Sequence, residues 1–261
     1  NEPAIFYSEK HLKEVFEKLE DYKKMNLDVN TFFEMQGMVG SICNNPEDYA
    51  SFYHNYKGRH YRHDQVHNLF GYYMTRSASE AFERYVPEKR ILLFSRASYI
   101  GMHRFGGIWQ GDNASWWSHL KMNVKMMPSL NMCGFLYTGA DAGGFGNDTT
   151  EDLMLRWLEF AVFTPLLRNH SARGTRRQEV YRFSHVEKFA DVIGVRYQIL
   201  PYIYSEYMKA ALQNTMMFNP LSFLYGEDAL AGQVEDQLFI GENVMVAPVC
   251  EQNVSGRVVY F

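Results

Sequence analysis

The residues best suited to chemistry in this 261-residue chain form the segment Trp109-Gln110-Gly111-Asp112-Asn113. Its one carboxylate, Asp112, stands beside a glycine, two amides and an indole, and Trp116 and Trp117 follow closely. Apolar indole surface that keeps water from a carboxyl group raises its pKa, so the group can stay protonated near neutral pH and donate that proton to a departing oxygen. Indole faces also stack on sugar rings. The segment therefore predicts a general acid that acts on a sugar.

A structural interpretation of the same segment stays open at this point. Gly111 would let the backbone reverse, and Asp112 and Asn113 would cap the helix that follows. The segment would then be an ordinary surface turn.

Polar clusters after three apolar runs indicate where further site residues lie. The runs at 90–94, 132–137 and 161–167 suit parallel strands that are covered on both faces. Helix-like stretches at 115–127 and 150–156 separate them, so the chain predicts a parallel α/β domain. Polar residues after such strands converge at the carboxyl edge of the sheet, where sites are built. The side chains expected to meet there are Arg96, Asp112, Asp141 and His170.

The remaining segments supply the surrounding elements. Apolar spacing predicts amphipathic helices over 11–24 and 64–84, whereas residues 32–61 have no sustained period and carry a turn signal at 44–46. A long helix is predicted over 184–212, kinked or split by Pro201, with its apolar stripe in the core. Its expected core residues are Val186, Phe189, Ile193, Tyr197, Leu200, Tyr204, Tyr207 and Ala211.

The last part of the chain changes character. Short strands predicted at 237–240, 244–249 and 257–261 resemble the start of an antiparallel β-module, which places a domain boundary between residues 215 and 216. The two predicted domains are therefore 1–215 and 216–261.

Composition excludes several classes of protein. An aromatic content of 16% indicates a globular domain, and the net charge of −4 with no basic stripe argues against nucleic acid as a partner. No apolar run reaches the roughly 20 residues that cross a bilayer, so no membrane partner is expected. Cys43, Cys133 and Cys250 lie too far apart for a disulfide framework or a metal motif, and this usage favours a cytoplasmic location.

Three nearby histidines, His60, His63 and His67, raise the question of a metal site. No cysteine or carboxylate pair completes a ligand set, so we expect solvated or hydrogen-bonded histidines and no bound metal. Cys133 and Cys250 lie in apolar runs where a free thiol packs as a small hydrophobic group.

Several motifs, in order along almost the whole chain, resemble glycoside hydrolase family 31, whose best-known members are α-glucosidases of the maltase and isomaltase type. They are Asn1-Glu2-Pro3, Ser95-Arg96, the Trp109–Asn113 segment, Gly139-Ala140-Asp141-Ala142-Gly143-Gly144-Phe145, Arg168-Asn169-His170-Ser171 and Arg196-Tyr197-Gln198-Ile199-Leu200-Pro201-Tyr202. The resemblance implies a (β/α)8 barrel of the TIM type, of which this chain supplies the C-terminal half, followed by the start of an antiparallel β-domain.

The resemblance also implies a role for each matched position. Asp112 matches the general acid/base, and Trp109 and Phe145 match aromatic walls of the pocket. Arg96, Asp141 and His170 match residues that hold or line the sugar. An equally open role for Arg96 is electrostatic, keeping neighbouring carboxylates ionised. The implied ligands are α-glucoside oligosaccharides such as maltose or isomaltose, and no cofactor is implied because acid/base and covalent catalysis suffice.

One departure from the family pattern concerns the nucleophile. In the family a Trp-x-Asp-Met segment runs into Asn-Glu-Pro, and its aspartate forms the glycosyl-enzyme intermediate, whereas this sequence begins at the asparagine. We therefore expect a fragment that is inactive by itself, with the nucleophile upstream of Asn1. Glu2 is a poor substitute because strand faces alternate. A noncatalytic carbohydrate-binding polypeptide and a relative such as an α-xylosidase, a transglucosylase or an α-glucan lyase remain alternatives.

Overall fold

The computed structural model describes residues 9–26 and 28–261 of the chain. Contacts divide these residues into two compact units. The N-terminal unit takes in the described residues up to Pro87 together with Ala97–Tyr99, and the C-terminal unit takes in Glu88–Arg96 and Ile100–Phe261. No helix in the described part of the chain has the length and apolar character needed to cross a membrane.

Helices dominate the N-terminal unit, where β1 and β2 pair as an antiparallel hairpin. Its elements are α1 (Glu9–Tyr22), α2 (Val29–Ile42), α3 (Pro46–Ser51), β1 (Tyr53–Tyr56), β2 (Arg59–Arg62) and α4 (His63–Tyr85). The helices predicted over 11–24 and 64–84 are confirmed as α1 and α4.

Residues 32–61 contain more regular structure than the sequence predicts. The missed helix, α2, is capped by Asp28, which accepts a hydrogen bond from the Thr31 amide at 2.8 Å. Gly37 and Gly40 each lower helix propensity by about 1 kcal/mol, so the segment has a weak helical signal that tertiary packing overrides. The predicted turn at 44–46 is confirmed, because the chain leaves α2 at Ile42 and Pro46 is the first residue of α3.

Three histidine rings, His54, His63 and His67, form a hydrogen-bonded chain in the N-terminal unit. His63 is fully buried, with Nδ1 2.9 Å from His54 Nε2 and Nε2 2.8 Å from His67 Nδ1. His60 is exposed. The hydrogen-bonded role predicted for His63 and His67 is confirmed. Across residues 9–26 and 28–261, no group of three or more His, Cys, Asp or Glu side chains is arranged to hold a metal ion.

Parallel strands alternate with helices in the C-terminal unit, as predicted. β3, β4 and β5 form one parallel sheet in that order, and β6 pairs parallel with β7. The strands are β3 (Phe94–Ser95), β4 (Gly107–Trp109), β5 (Thr138–Gly139), β6 (Asp141–Ala142) and β7 (Arg168–Asn169). The helices are α5 (Trp117–Met132), α6 (Glu151–Ala161) and α7 (Val186–Gln213).

The three strands predicted from apolar runs are displaced toward the C terminus of each run. The run 132–137 begins in the last residue of α5, and the run 161–167 begins in the last residue of α6. Hydrogen-bonded strand pairing starts only at Phe94, Thr138 and Arg168. A short apolar run has the same sequence signal whether it is a buried strand or the buried end of a helix. Periodicity therefore found the runs but misplaced the strands.

α7 is one continuous helix through Pro201, so the predicted split is wrong. Burial of Phe189 before the proline and of Ile203 after it holds both halves of the helix in the core, which offsets the missing backbone hydrogen bond at Pro201. The predicted apolar stripe is also wrong in part, because five of its residues are exposed: Val186, Tyr197, Leu200, Tyr204 and Ala211. This helix is apolar on more than one face, and spacing alone did not identify the buried one.

An antiparallel sheet ends the described chain, as predicted, with the strand order β10-β9-β8. It comprises β8 (Phe218–Pro220), β9 (Leu238–Ile240) and β10 (Val244–Val246), and the short helix α8 (Leu221–Leu224) follows β8. The strand predicted at 257–261 is absent from that segment. Arg257 instead donates hydrogen bonds to Asp236. β8 was missed because Pro220 resembles a turn residue, but a proline is tolerated in an edge strand.

The main hydrophobic core of the C-terminal unit draws most of its members from α5, α6, α7 and the antiparallel sheet, and a smaller cluster forms around Leu221, Ala231 and Phe239. Fully buried members of the main core include Leu120, Met127, Trp157, Phe189, Phe218 and Ile240. The boundary predicted between residues 215 and 216 stays a prediction. The three cysteines are free, and Cys250 is buried as expected, whereas Cys133 is exposed because it follows the end of α5.

Candidate active site

The predicted site residues follow the carboxyl ends of neighbouring parallel strands. Arg96 follows β3, and Trp109 ends β4 immediately before the segment that carries Asp112. Asp141 follows β5 and is also the first residue of β6, where its register partner in β7 is Arg168. Strand pairing therefore brings together side chains that lie up to about seventy positions apart in sequence.

Arg96 and Asp112 form an ion pair. Arg96 Nη1 lies 3.1 Å from Asp112 Oδ2, and the guanidinium carbon of Arg96 is 6.0 Å from the centre of the Trp109 ring. Gly111 has a φ of +86°, which allows the chain to turn between Trp109 and Asp112. The side chains of Arg96 and Asp112 are 56% and 39% exposed, so both charged groups remain accessible to a ligand.

The apolar shield that the sequence predicts around Asp112 is not formed by the described residues. Trp116 is 53% exposed and its ring lies edge-on against His119, while Trp117 packs into the core at the start of α5. The prediction failed because Trp116 is largely in solvent and Trp117 is packed against the core, which leaves the Asp112 side chain 39% exposed.

The alternative role of Asp112 and Asn113 as helix caps is also wrong. Trp116 occupies the cap position of α5, with no side-chain cap hydrogen bond. Asn113 is buried and donates from Nδ2 to Asn123 Oδ1 at 2.7 Å. Asp112 is thus placed by its turn and by Arg96, and it makes no capping contact with the helix.

Asp141 is the buried carboxylate of the site, with a side chain only 1% exposed. Its Oδ1 accepts hydrogen bonds from Arg168 Nε at 2.8 Å and Nη2 at 2.5 Å. Its Oδ2 is buried and has no hydrogen-bond partner among the described residues. Burial raises the pKa of Asp141, and the hydrogen bonds and charge of Arg168 offset part of that rise. An unsatisfied buried carboxylate oxygen is costly, so this atom is a strong candidate to bind a ligand hydroxyl.

Arg168 is a site residue to which the sequence motif Arg168-Asn169-His170-Ser171 had assigned no role of its own. Besides holding Asp141, its guanidinium carbon lies 5.6 Å from the Phe94 ring and 5.5 Å from the Trp109 ring. The sequence feature that could have identified Arg168 is its position two residues before His170. Its partner could be found only from the register of β6 and β7.

Aromatic surfaces complete the cluster. The rings of Phe145 and His170 lie 5.3 Å apart with 32° between their planes, so the two predicted residues are neighbours. Trp109 meets Phe94 edge-on at 6.1 Å, and its Nε1 is a buried donor without a partner among the described residues. Flat rings beside directional polar groups suit a molecule that has both C–H faces and hydroxyls.

The structure thus brings the predicted residues into one region. The charges of His170 and Asp112 both influence Asp141, which is consistent with their closeness. Glu2, considered as a substitute nucleophile, and the Asn1-Glu2-Pro3 motif lie outside the described residues. The cluster offers one exposed carboxylate for proton transfer and one buried carboxylate for binding.

Family models and known proteins give the same assignment. A model described as "Glycosyl hydrolases family 31 TIM-barrel domain" matches residues 1–206, and one described as "Glycosyl hydrolase family 31 C-terminal domain" matches residues 214–261. The barrel and the C-terminal β-domain predicted from sequence are therefore confirmed as the fold class.

Two curated relatives are named as α-glucosidases. The chain is 34% identical over 212 residues to "Alpha-glucosidase 2" of Bacillus thermoamyloliquefaciens, covering 80% of this chain and 27% of that protein. It is 36% identical over 197 residues to "Probable alpha-glucosidase Os06g0675700" of Oryza sativa subsp. japonica, covering 75% and 22%. The chain therefore spans about a quarter of the length of the curated relatives it matches.

Solved structures of one related enzyme carry sugars. A family 31 dextranase of Flavobacterium johnsoniae, complexed with glucose, matches with a TM-score of 0.73 and 27% identity, covering 81% of this chain and 27% of that one. The D412A mutant of that dextranase, complexed with isomaltotriose, matches with the same TM-score and identity.

Proposed function

Because this chain belongs to glycoside hydrolase family 31, we propose that it forms part of a retaining α-glucosidase that releases terminal, non-reducing α-linked glucose from oligosaccharides. The observation that carries the proposal is the Arg96–Asp112 ion pair beside the buried Asp141–Arg168 pair. The first pair holds an accessible carboxylate for proton transfer, and the second presents a buried oxygen to a ligand. Maltose and isomaltose are representative substrates, and isomaltotriose is the ligand of the related dextranase.

Asp112 is the proposed general acid/base. In the first step its protonated carboxyl gives a proton to the glycosidic oxygen as a carboxylate nucleophile attacks the anomeric carbon. In the second step the Asp112 carboxylate takes a proton from water, which attacks the same carbon and frees the nucleophile, so the configuration is retained. A nearby cation favours the carboxylate form, and a nearby anion favours the protonated form. Arg96 therefore supports the second step, and an anionic nucleophile before attack supports the first.

The remaining residues are proposed to bind the sugar. Asp141 would accept a hydroxyl hydrogen bond at Oδ2, and Trp109 would donate from Nε1, since both atoms are buried and lack partners among the described residues. Phe145 and His170, which lie side by side, would line the pocket with an aromatic face and a directed polar group. No cofactor is proposed, because acid/base and covalent catalysis account for the reaction.

The nucleophile is proposed to be the aspartate of the family's Trp-x-Asp-Met segment, upstream of Asn1. Retention needs two carboxyl groups about 5–5.5 Å apart, and Asp141 already uses one oxygen to bind Arg168. The chain covers 27% or less of the relatives named above, and hydrolysis is proposed for the longer polypeptide, with the present chain inactive by itself.

The test compares this chain with a version extended upstream through the Trp-x-Asp-Met segment. Both are incubated with an aryl α-glucoside, and release of the aryl alcohol is measured. We expect release only by the extended version, and we expect Asp191→Ala, a change at an exposed aspartate on α7, to leave that release unchanged.

Two results would contradict the proposal. Equal release by both versions would place the nucleophile within this chain. Release by neither, with sugar binding intact, would support a noncatalytic carbohydrate-binding polypeptide. An α-xyloside hydrolysed in preference to the α-glucoside, or glucose transferred to an acceptor sugar, would instead assign a different activity within the same family.

A further inference from the structure

Two loops carry the predicted sugar-binding residues beyond β6 and β7, and a single buried side chain lies between them. The first loop, residues 143–147, carries Phe145, and the second, residues 170–179, carries His170. Gln178, in the second loop, is only 3% exposed. Nothing in the sequence pattern predicted a role for it.

The carboxamide nitrogen of Gln178 is surrounded by oxygens from both loops and from the strands before them. Nε2 lies 3.2 Å from the carbonyl oxygen of Ala142, 3.2 Å from that of Gly144 and 3.3 Å from that of His170. It also lies 3.1 Å from Asn169 Oδ1. An NH2 group has two hydrogens, so these four acceptors share them, and the group links the Phe145 loop to the His170 loop.

Other contacts tie the second loop to the first loop or to the residue after it, and in each of them a backbone amide is the donor. Ala172 N donates to the Phe145 carbonyl at 2.8 Å, and Arg176 N donates to Asp148 Oδ1 at 2.5 Å. The Gln178 carbonyl accepts from Asn169 Nδ2 at 2.8 Å, which fixes the backbone of Gln178 itself. Gln178 is therefore anchored at its backbone and donates from its side chain.

We propose that Gln178 is a positioning residue, whose side-chain NH2 group fixes the Phe145 and His170 loops relative to each other and so sets the shape of the sugar pocket. The inference rests on the proposed function only for the identity of the ligand. The link between the loops is a property of the chain and can be measured without any sugar.

Three variants distinguish donation from packing. Gln178→Met keeps a similar volume and removes both donors. Gln178→Glu keeps the shape but places an anion among four oxygen acceptors. Gln237→Met is the matched control, since Gln237 is also buried and its Nε2 donates to the Tyr260 carbonyl at 3.0 Å, in the C-terminal β-region.

The measurements are backbone amide exchange of the full chain and the ring-to-ring nuclear Overhauser contact between Phe145 and His170. For Gln178→Met we expect amide exchange at Ala172 to accelerate at least tenfold, and the ring contact to weaken. Amides of α5 and α6 should keep their wild-type rates. The control Gln237→Met should leave both loops unchanged.

Amide exchange of Gln178→Glu measured at several pH values adds a test whose result a loss of packing alone would not change. The introduced carboxylate is repelled by the surrounding oxygens, so it should take up a proton readily and then donate one hydrogen bond. We expect the loop exchange of this variant to slow relative to Gln178→Met as the pH falls from 7 to 5, after correction for intrinsic rates.

Wild-type exchange at Ala172 in Gln178→Met would overturn the proposal. Equal acceleration of Ala172 exchange in the Gln237→Met control would also overturn it, because the loss of any buried side-chain carboxamide would then loosen the loops. Titration of isomaltose into the wild-type chain tests separately whether the site binds a sugar. Failure to bind would count against the proposed function of this site, whereas the exchange results alone decide the role of Gln178.

Discussion

Arg168 is placed by strand register. β6 and β7 pair in parallel with Asp141 opposite Arg168, so the guanidinium reaches a carboxylate that is almost completely buried. Two hydrogen bonds to Oδ1 hold one side of the carboxylate and leave Oδ2 unused. The pair therefore holds one side of the carboxylate in place, and we propose that the unused oxygen binds a ligand hydroxyl.

Replacement of Arg168 by methionine should lower the free energy of unfolding by about 3 kcal/mol at pH 7, because it leaves a buried charge without a partner. Burial already raises the pKa of Asp141 in the folded chain. Without Arg168 that pKa should rise further, so the loss should shrink as the pH falls toward 3.8 and the carboxyl becomes neutral. Urea unfolding at several pH values measures this effect.

The control for this prediction is Arg182→Met, since Arg182 pairs with Glu179 at 2.9 Å on the surface. Exposed ion pairs contribute about 0–1 kcal/mol. Similar losses in the two variants, or a loss in Arg168→Met that does not vary with pH, would contradict the account of Asp141.

The sequence predicted the residue types of the site better than their environment. Arg96, Asp112, Asp141 and His170 were expected to meet, and the structure brings them into one region. The shielding of Asp112 was predicted wrongly, because proximity in sequence does not fix the direction of an indole. Arg168 was missed as the partner of Asp141, because strand register is a long-range property.

At the scale of elements, close backbone approach limits what the parallel strands accept. A Cβ atom on Gly139 in β5 would lie 2.1 Å from the Leu166 carbonyl oxygen, which is backbone and cannot rotate away. A Cβ atom on Gly194 in α7 would have no atom within 4 Å apart from its own stretch of helix. The two glycines should therefore respond to alanine in opposite ways.

We expect Gly139→Ala to destabilise the chain by about 1–3 kcal/mol, as other overpacked sites do. Gly194→Ala should instead stabilise it by about 0.5–1 kcal/mol, because alanine favours a helix interior. Thermal unfolding of the two single variants checks both signs. An unchanged stability of Gly139→Ala would contradict the close packing of β5 against the segment before β7.

The histidine chain should make the stability of the N-terminal unit depend on pH. Burial, followed by the neighbouring His67 and His54, lowers the pKa of His63 below 6.5, and Asp64 opposes this shift. Tyr49 stacks on His67 and also meets His63 edge-on. The unfolded chain takes up the proton at a higher pH, so stability is present above pH 6.5 and is lost as the pH falls through that value toward the lower folded-state pKa.

His63→Gln should therefore flatten the fall in the free energy of unfolding between pH 7.5 and 5.5, by at most about 1.4 kcal/mol per pH unit. The exposed His60→Gln is the control and should keep the wild-type slope. Urea unfolding at the two pH values measures it. An unchanged slope in His63→Gln would show that the buried ring titrates as it does in the unfolded chain.

Helix bounds were predicted well where a single apolar stripe runs along the helix, as in α1 and α4. They were predicted poorly where apolar residues surround the element. The runs at 132–137 and 161–167 contain helix ends as well as strand approaches, and α7 exposes Tyr197 and Tyr204 from its predicted core face. Burial in these segments is decided by neighbours distant in sequence, which periodicity does not report.

At the scale of the whole molecule, the described site residues all belong to the C-terminal unit, whose main core includes Ala142, the residue after Asp141. Family membership follows from spaced motifs and needed no structure. The arrangement of Asp112, the proposed proton donor, the buried carboxylate of Asp141 and the amide of Gln178 did need it. A complete catalytic cycle also requires a nucleophile, which we propose lies upstream of Asn1 in a longer polypeptide.

The most direct test of the central claim, that Asp112 transfers the proton, is the leaving-group dependence of Asp112→Ala in the upstream-extended polypeptide. Removal of a general acid costs about 10²- to 10⁴-fold, and only when the leaving oxygen needs a proton. We predict a loss of that size in kcat/KM for alkyl α-glucosides and natural disaccharides, and a much smaller one for aryl glucosides with acidic phenols. A uniform loss across leaving groups, matched against an unaffected Asp191→Ala control, would contradict the account.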